Sequence, residues 1–398
     1  MSSDTLPTHE GILGQIIHSI GKKLLPGDLK GGIALTLPSG ARHMIGFEHP
    51  GPACDLQVRN YRPVWSAIRR GAVGFAESYM VGDIDSSDIT AVLRFYLQNR
   101  DTLDSAAGPV FYKSLFDRLF HLMRANTKAG SRRNISAHYD LGNDFYGHWL
   151  DQTMSYSSAF FGKGAQNLEA AQAAKYDLVL NALELGKPSR ILEIGCGWGG
   201  FAEVAASRGH EVTGLTISRE QLAFAEARLG GKTELRFEDY RDNTGRYDAI
   251  ASIEMIEAVG EANWPTYFRV LHDRLEPGGC AAVQAITMDE RFYPGYRKTT
   301  DFIQRYIFPG GMLPTKAILA EQAARAGLAF ETLQTFGTDY ARTLALWRDR
   351  FESSWSSIAR LGFDETFRRR WRYYLCYCEA GFADHAIDVG VYRFRRPK

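Results

Sequence analysis

The 398-residue sequence carries little net charge, +1 with histidines neutral, and few cysteines, five in all. Near-neutrality excludes a global field that recruits nucleic acid or acidic substrates, so an anionic partner must be held by local patches. Cys54, Cys196, Cys280, Cys376 and Cys378 are odd in number and scattered. They form no disulfide framework and show no zinc spacing, which fits a reducing cytoplasm. No apolar run approaches about 18 residues and no cleavable signal is recognisable, so neither secretion nor a membrane span is expected. Internal repeats and low-complexity tracts are also missing.

A soluble chain of this length accommodates two or three domains. The polar, basic stretch "RANTKAGSRRN" (124–134) reads as a linker, giving an N-terminal domain over 1–123 and a second over 124–398. In the first, Ile12, Leu13, Ile16, Ile17, Ile20 and Leu24 share one helical face, which either packs on its own domain or lies on a membrane surface. "GGIALTLPSGARHMIGF" reads as a hairpin turning at Pro38-Ser39-Gly40.

After the linker, strands and helices alternate: "RILEIGCG", "GFAEVAASRG", "HEVTGLTIS", "REQLAFAEARLG", "TELRFEDY", "YDAIASIEM", "NWPTYFRVLHDRLEPGG" and "CAAVQAITM". Such alternation predicts an α/β fold with a doubly wound, Rossmann-like parallel sheet. Ligands bind such sheets beyond the carboxyl ends of the strands, where Glu254 and Glu257 close the fourth strand.

"LEIGCGWGG" joins the first strand to its helix. Gly195, Gly197 and Gly200 satisfy G-x-G-x-x-G, a weak signal alone. Glu193, two residues before the first glycine, would face a pyrophosphate, and "GLTIS" ends the second strand without an acid for ribose hydroxyls. A dinucleotide is thereby disfavoured. A carboxylate beside this turn suits a cationic ligand such as the ammonium of a methionine moiety.

"EIGCGWG" followed by "GLTIS" resembles S-adenosylmethionine-dependent methyltransferases, specifically the cyclopropane-fatty-acid synthase family. "HYDLGNDFY" (138–146), "MSYSSAFF" (154–161), "RYIFPGGMLP" (305–314), "DYARTLALW" (339–347) and "YCEAGF" (377–382) agree, and "GFAESYMVGDID" (74–85) looks like the family's N-terminal domain. The resemblance implies S-adenosylmethionine held by Tyr156, Ser157, Glu193, Gly195, Cys196, Gly197, Gly199, Leu215, Thr216 and Gln221, with Tyr240 flanking the adenine. It also implies methyl transfer to the double bond of an unsaturated phospholipid acyl chain by a cytoplasmic enzyme peripheral to the inner face of the membrane. Homodimer formation is left open, and nucleic acid is not expected.

Family members hold a bicarbonate ion as base. Mapped by motif, its pocket here comprises Ser158 (cysteine in the family), Glu257, Gln284 (histidine in the family), Ile286 and Tyr340. In "EMIEAVG", Glu254 stands where the family has glycine, and Ala258 where it has histidine. An added carboxylate repels an anion sharing its cavity, so bicarbonate-assisted ring closure conflicts with this pocket. The expectation is therefore a cyclopropane or, given Ser158, Gln284 and Glu254, a methyl-branched or methylene product. Glu257 would stabilise the cation or orient the base, and Glu254 would reshape the site and accept the proton. Rival readings are a methyltransferase for a soluble small acceptor and a non-catalytic lipid-binding relative. The arginines of "TFRRRWRYYLCYC" and "YRFRRPK" read as headgroup contacts, or as a solvated helix face and a charged edge strand.

Overall fold

The computed structural model describes residues 29–107 and 141–398. The expected helix over 12–24, the linker and the 123/124 boundary lie outside the described residues. Two compact units emerge, one from residues 29–107 with Phe363–Asp384, the other from residues 141–362 with His385–Lys398.

In the first unit, β1 (Lys30–Thr36) and β2 (Arg42–Gly46) form the expected hairpin. Its turn is closed by Leu37 N–H donating to Ala41 O at 2.9 Å. β3 (His49–Val58) runs parallel to β1, and β4 (Ile84–Asp85) completes the sheet in the order β2-β1-β3-β4. Helices α1 (Arg62–Met80) and α2 (Ile89–Gln98) follow, the second capped by Asp88, whose carboxylate accepts from Ala91 N–H.

The helix Glu365–Ala383 belongs to this unit, whereas the sequence reading had kept it with the second domain. It buries Phe367, Trp371, Tyr373 and Leu375, with the Tyr373 ring 5.6 Å from that of Tyr79. Arg369 donates to Tyr79 O at 2.6 Å and Ile84 O at 2.9 Å and pairs with Asp85. That guanidinium is an internal brace, not a headgroup contact.

The second unit holds a seven-stranded sheet in the order β10-β11-β9-β8-β5-β6-β7. Its strands are β5 (Arg190–Ile194), β6 (Glu211–Thr216), β7 (Glu234–Phe237), β8 (Tyr247–Ile253), β9 (Leu275–Met288), β10 (Ala329–Thr335) and β11 (Ile387–Arg395). The first five are mutually parallel, and β11 is antiparallel to both β9 and β10. Ile191, Leu192, Ala249, Ile250, Ala251, Ala281, Ala282 and Val283 are fully buried, as continuous apolar runs in a parallel sheet covered on both faces should be. Helices α3 (Leu168–Ala182), α4 (Gly200–Ser207), α5 (Arg219–Leu229), α6 (Trp264–Arg274), α7 (Lys316–Arg325) and α8 (Gly337–Ser353) belong to this unit.

β11 corrects a second expectation. It is no edge strand but lies between β10 and β9, burying Val389, Val391, Tyr392 and Phe394. Its arginines are engaged, Arg393 and Arg395 pairing with Glu184, and Arg396 just beyond the strand donates to Leu275 O. The chain passes from β5 outward to β6 and β7, then returns to the other side of β5 as β8. The crevice between the ends of β5 and β8 is the topological switch point.

Candidate active site

The turn after β5 is lashed to the end of β6. Gly195 and Cys196 N–H both donate to Leu215 O, at 3.0 and 2.9 Å. Those two donors are therefore spent within the protein. Gly195 and Gly197 have φ of 80° and 53°, a region costly for other residues. A Cβ at Gly195 would lie 2.9 Å from Met255 Cγ, while one at Gly197 would meet nothing within 4 Å. The turn thus faces open space at Gly197. Gly199 caps α4 in the left-handed conformation. The Cys196 side chain is buried against Gly214, so only its backbone can face a ligand.

Glu193 is buried, and its Oε2 has no hydrogen-bond partner. Burial pushes its pKa up to about 8, opposed by Lys175, the Ala202 N–H and Arg228. A buried acceptor without a donor marks a place for a donor-bearing, cationic group. Thr216 Oγ1 donates to Gln221 Oε1 at 3.1 Å and accepts from Ser218 N–H, which fixes the end of β6. Tyr240, just beyond β7, sets its ring edge-on to Tyr267 with centroids 5.7 Å apart. Tyr156 sits in an aromatic cluster 5.5 Å from Trp347, 5.6 Å from Trp149 and 6.4 Å from Phe308. The orphaned acid, the open glycine turn and the aromatic wall fit the donor expected from the sequence.

At the end of β8, Glu254 takes φ 49°. A glutamate in this region stores strain, of order 1 kcal/mol or more, that the surroundings must compensate. Here the compensation is visible. Its N–H donates to Gln284 O at 2.8 Å. Its Oε1 accepts from Ser158 N–H and Gln284 Nε2, both at 2.8 Å, and its Oε2 accepts from Tyr340 Oη at 2.7 Å. Ser158 contributes only backbone, because its hydroxyl donates to Ala159 O.

Glu257 is treated differently. Its Oε1 accepts from Ile286 N–H at 2.5 Å, and its buried Oε2 has no partner. Both carboxylate groups are shielded, although each residue keeps some open surface. Burial raises both pKa values. Three donors and Lys175 oppose the rise at Glu254, whereas the charge of Glu254 adds to it at Glu257, which is pushed up to about 8. Two neighbouring carboxylates with diverging environments divide into a base and an acid. The three donors favour the charged form of Glu254, whereas burial and the charge of Glu254 favour the neutral form of Glu257.

Lys175 escaped the sequence reading. Its ammonium is fully buried and donates to Ser157 Oγ at 2.7 Å. The signal was there: Leu168, Ala171, Gln172, Lys175, Tyr176 and Val179 follow helical spacing on the buried face of α3, so a lysine in that stripe must be buried too.

The family model of mycolic acid cyclopropane synthetase matches residues 126–392. Tuberculostearic acid methyltransferase UfaA1 of Mycobacterium tuberculosis is 40% identical, over 81% of this chain and 78% of that protein. Cyclopropane-fatty-acyl-phospholipid synthase of Escherichia coli K12 is 36% identical, over 89% of this chain and 91% of its own. The crystal structure of mycolic acid cyclopropane synthase CmaA1 with SAH and CTAB superposes with a TM-score of 0.63 at 28% identity, covering 67% of this chain and 98% of that one. With its donor-side turn, its paired carboxylates and these relatives, the chain belongs to the mycolic acid cyclopropane synthetase family and is an S-adenosylmethionine-dependent methyltransferase.

Proposed function

We propose that this enzyme methylates the double bond of an unsaturated phospholipid acyl chain and releases a methyl-branched or methylene product instead of a ring. The observation that carries this reading is the saturated carboxylate of Glu254. Ser158, Gln284 and Tyr340, at three positions that the resemblance assigns to a bicarbonate pocket, all donate to it. The protein's own carboxylate takes those donors, and a second anion beside it would be repelled. The first relative named above, moreover, is named for an acid and a methyl transfer, not for a cyclopropane.

Bound at the Glu193 turn, S-adenosylmethionine supplies an electrophilic methyl, and its addition to an alkene leaves a positive charge on the acyl chain. The ring of Tyr156, clustered with those of Trp347 and Phe308, would offer that charge π density. Glu254 then takes a proton: either from a chain carbon next to the cation, whose C–H electron pair closes the double bond of a methyl-branched alkene, or, after a 1,2-hydride shift has moved the charge to the methyl-bearing carbon, from the new methyl, whose C–H pair closes the methylene double bond. Because Glu254 is tethered by its own backbone and three donors, it reaches a fixed set of C–H bonds, and position decides the product. Burial and the charge of Glu254 both favour the neutral form of Glu257, which limits the negative charge beside the base.

The acceptor lies in a bilayer, so the enzyme works from the membrane surface. Among the described residues no helix is long and apolar enough to cross a membrane. Met44, Phe47 and Trp65 leave apolar surface exposed on the first unit, which supports peripheral contact. The experiment combines unsaturated phospholipid vesicles, methyl-labelled donor and bicarbonate-depleted buffer, with products read by mass spectrometry and proton NMR. A branched or methylene chain formed without bicarbonate is expected. Cyclopropane protons, or a rate that depends on added bicarbonate, would refute the reading, and a labelled product only from soluble acceptors would reject the lipid substrate.

A further inference from the structure

The ammonium of Lys175 has no carboxylate within ion-pair distance among the described residues. Its hydrogen-bond acceptor is Ser157 Oγ, and it lies 3.8 Å from the centroid of the Tyr176 ring. A buried cation so weakly paired is costly, and replacing it with an apolar residue of similar size would usually relieve that cost. Its surroundings show what the charge does. Gln172, three residues earlier on α3, donates Nε2 to Ser157 O at 3.0 Å. The two side chains thus grip Ser157 at its hydroxyl and at its carbonyl. The next N–H along the chain, that of Ser158, is the one that donates to Glu254 Oε1.

We infer that Lys175 is a positioning residue: from behind Ser157 it holds Glu254 as the ionised member of the carboxylate pair and sets the pH at which the proton is taken. This rests on Glu254 being the base. The titratable and charged groups around the pair are few. Lys175 faces Glu254, Asp151 and Glu193, with the Tyr176 phenol beside it. Glu254 faces Tyr340, Lys175 and the neighbouring Glu257. Arg228 and Cys196 act on Glu193 or are acted on by it, one step removed from Glu254. Among the described residues Lys175 is therefore the cation common to both acids, Glu193 at the proposed donor side and Glu254 at the proposed acceptor side. Burial pulls its own pKa down to about 8, with Glu254 the largest of the groups that hold it up. The coupling runs both ways, so a charged Lys175 supports the ionised form of Glu254.

The test is the pH profile of kcat/KM, with unsaturated phospholipid vesicles, for wild type, Lys175→Met and Glu254→Gln. An opposite charge nearby lowers a carboxylate pKa by about 1 to 3 units. Lys175→Met should therefore move the acid limb to higher pH by at least about one unit. An unmoved limb in a folded variant overturns the inference. Glu254→Gln separates the two claims. If it keeps full turnover, the base assignment fails. If it is inactive while Lys175→Met keeps the wild-type limb, only the role of Lys175 fails. Should Lys175→Met not fold, Glu254→Gln carries the test by NMR of carbon-labelled lysine. Loss of its anionic neighbour should lower the Lys175 pKa by about one unit or more, and an unchanged titration refutes the coupling.

Discussion

The phenol of Tyr340 donates to Oε2 of Glu254 across 2.7 Å, while its ring stands edge-on to Trp347 at 6.0 Å. One residue thus anchors the proposed base through its hydroxyl and the aromatic wall through its ring. Tyr340→Phe separates the two. It keeps the packing and removes a donor to the charged form of Glu254, so the acid limb of kcat/KM should rise in pH and the rate at neutral pH should fall by roughly 10- to 150-fold, the equivalent of about 1.5 to 3 kcal/mol for a hydrogen bond to a charged group. A wild-type pH profile in this variant would show that the bond does not support the base.

Glu254→Gln tests the base directly. General-base catalysis is worth about 10²- to 10⁴-fold, and a loss in that range is expected in product formation. Affinity for S-adenosylhomocysteine, read by calorimetry, should hold within a few fold, since the donor is proposed to bind at the Glu193 turn and not at Glu254. Equal losses in both measurements would point to a disrupted fold.

Glu257 makes a prediction about stability. Its folded pKa is raised, so the folded state binds the proton more tightly than the unfolded chain does. That contribution is fully present below the unfolded value of 4.5 and is lost as pH rises through about 8. Within this window Glu257 should cost stability by up to about 1.4 kcal/mol per pH unit. Glu257→Gln removes the slope. Denaturant unfolding should show the variant gaining on wild type as pH rises from about 5 to about 8, the window its pKa shift defines. Parallel curves would mean that Glu257 is ionised in the folded enzyme.

The glycine turn gives a paired prediction. At Gly195 a methyl group meets Met255 Cγ at 2.9 Å, whereas at Gly197 it meets open space. Both positions carry positive φ, so either alanine costs roughly 1 kcal/mol of strain. Gly195→Ala should lower both melting temperature and donor affinity. Gly197→Ala should lower donor affinity with a smaller loss of stability, because its methyl intrudes where the ligand belongs. Calorimetry with S-adenosylhomocysteine alongside thermal melts distinguishes the two.

Much of the sheet was legible in the sequence because short apolar strands, glycine turns and amphipathic helices alternate between Arg190 and Met288. Local pattern sufficed there. It failed where partners are distant in sequence. Nothing in "YRFRRPK" says that Tyr392 and Phe394 are buried between two other strands, since period-two alternation with arginines also describes an edge. Nothing in "TFRRRWRYY" says that Arg369 reaches carbonyls near residue 80. At the site, motif mapping named Glu254, Ser158, Gln284 and Tyr340 but not their connections. That Ser158 uses its N–H and not its hydroxyl depends on backbone direction, which side-chain identity does not encode. Lys175 was missed because a lysine on a helix normally reads as solvated, and only the stripe it shares with Leu168 and Val179 argues otherwise.

The helix Glu365–Ala383 completes the first unit, yet it is translated after β10 and before β11 of the second. A ribosome therefore cannot release one finished unit before making the other. The hairpin and α1 must wait through nearly 300 residues of synthesis for the aromatic face of that helix, and β9 waits through roughly 100 more of its own before its neighbour β11 is made. Both units should become protease-resistant together and late, and chaperones that shelter exposed apolar surface should stay engaged until then.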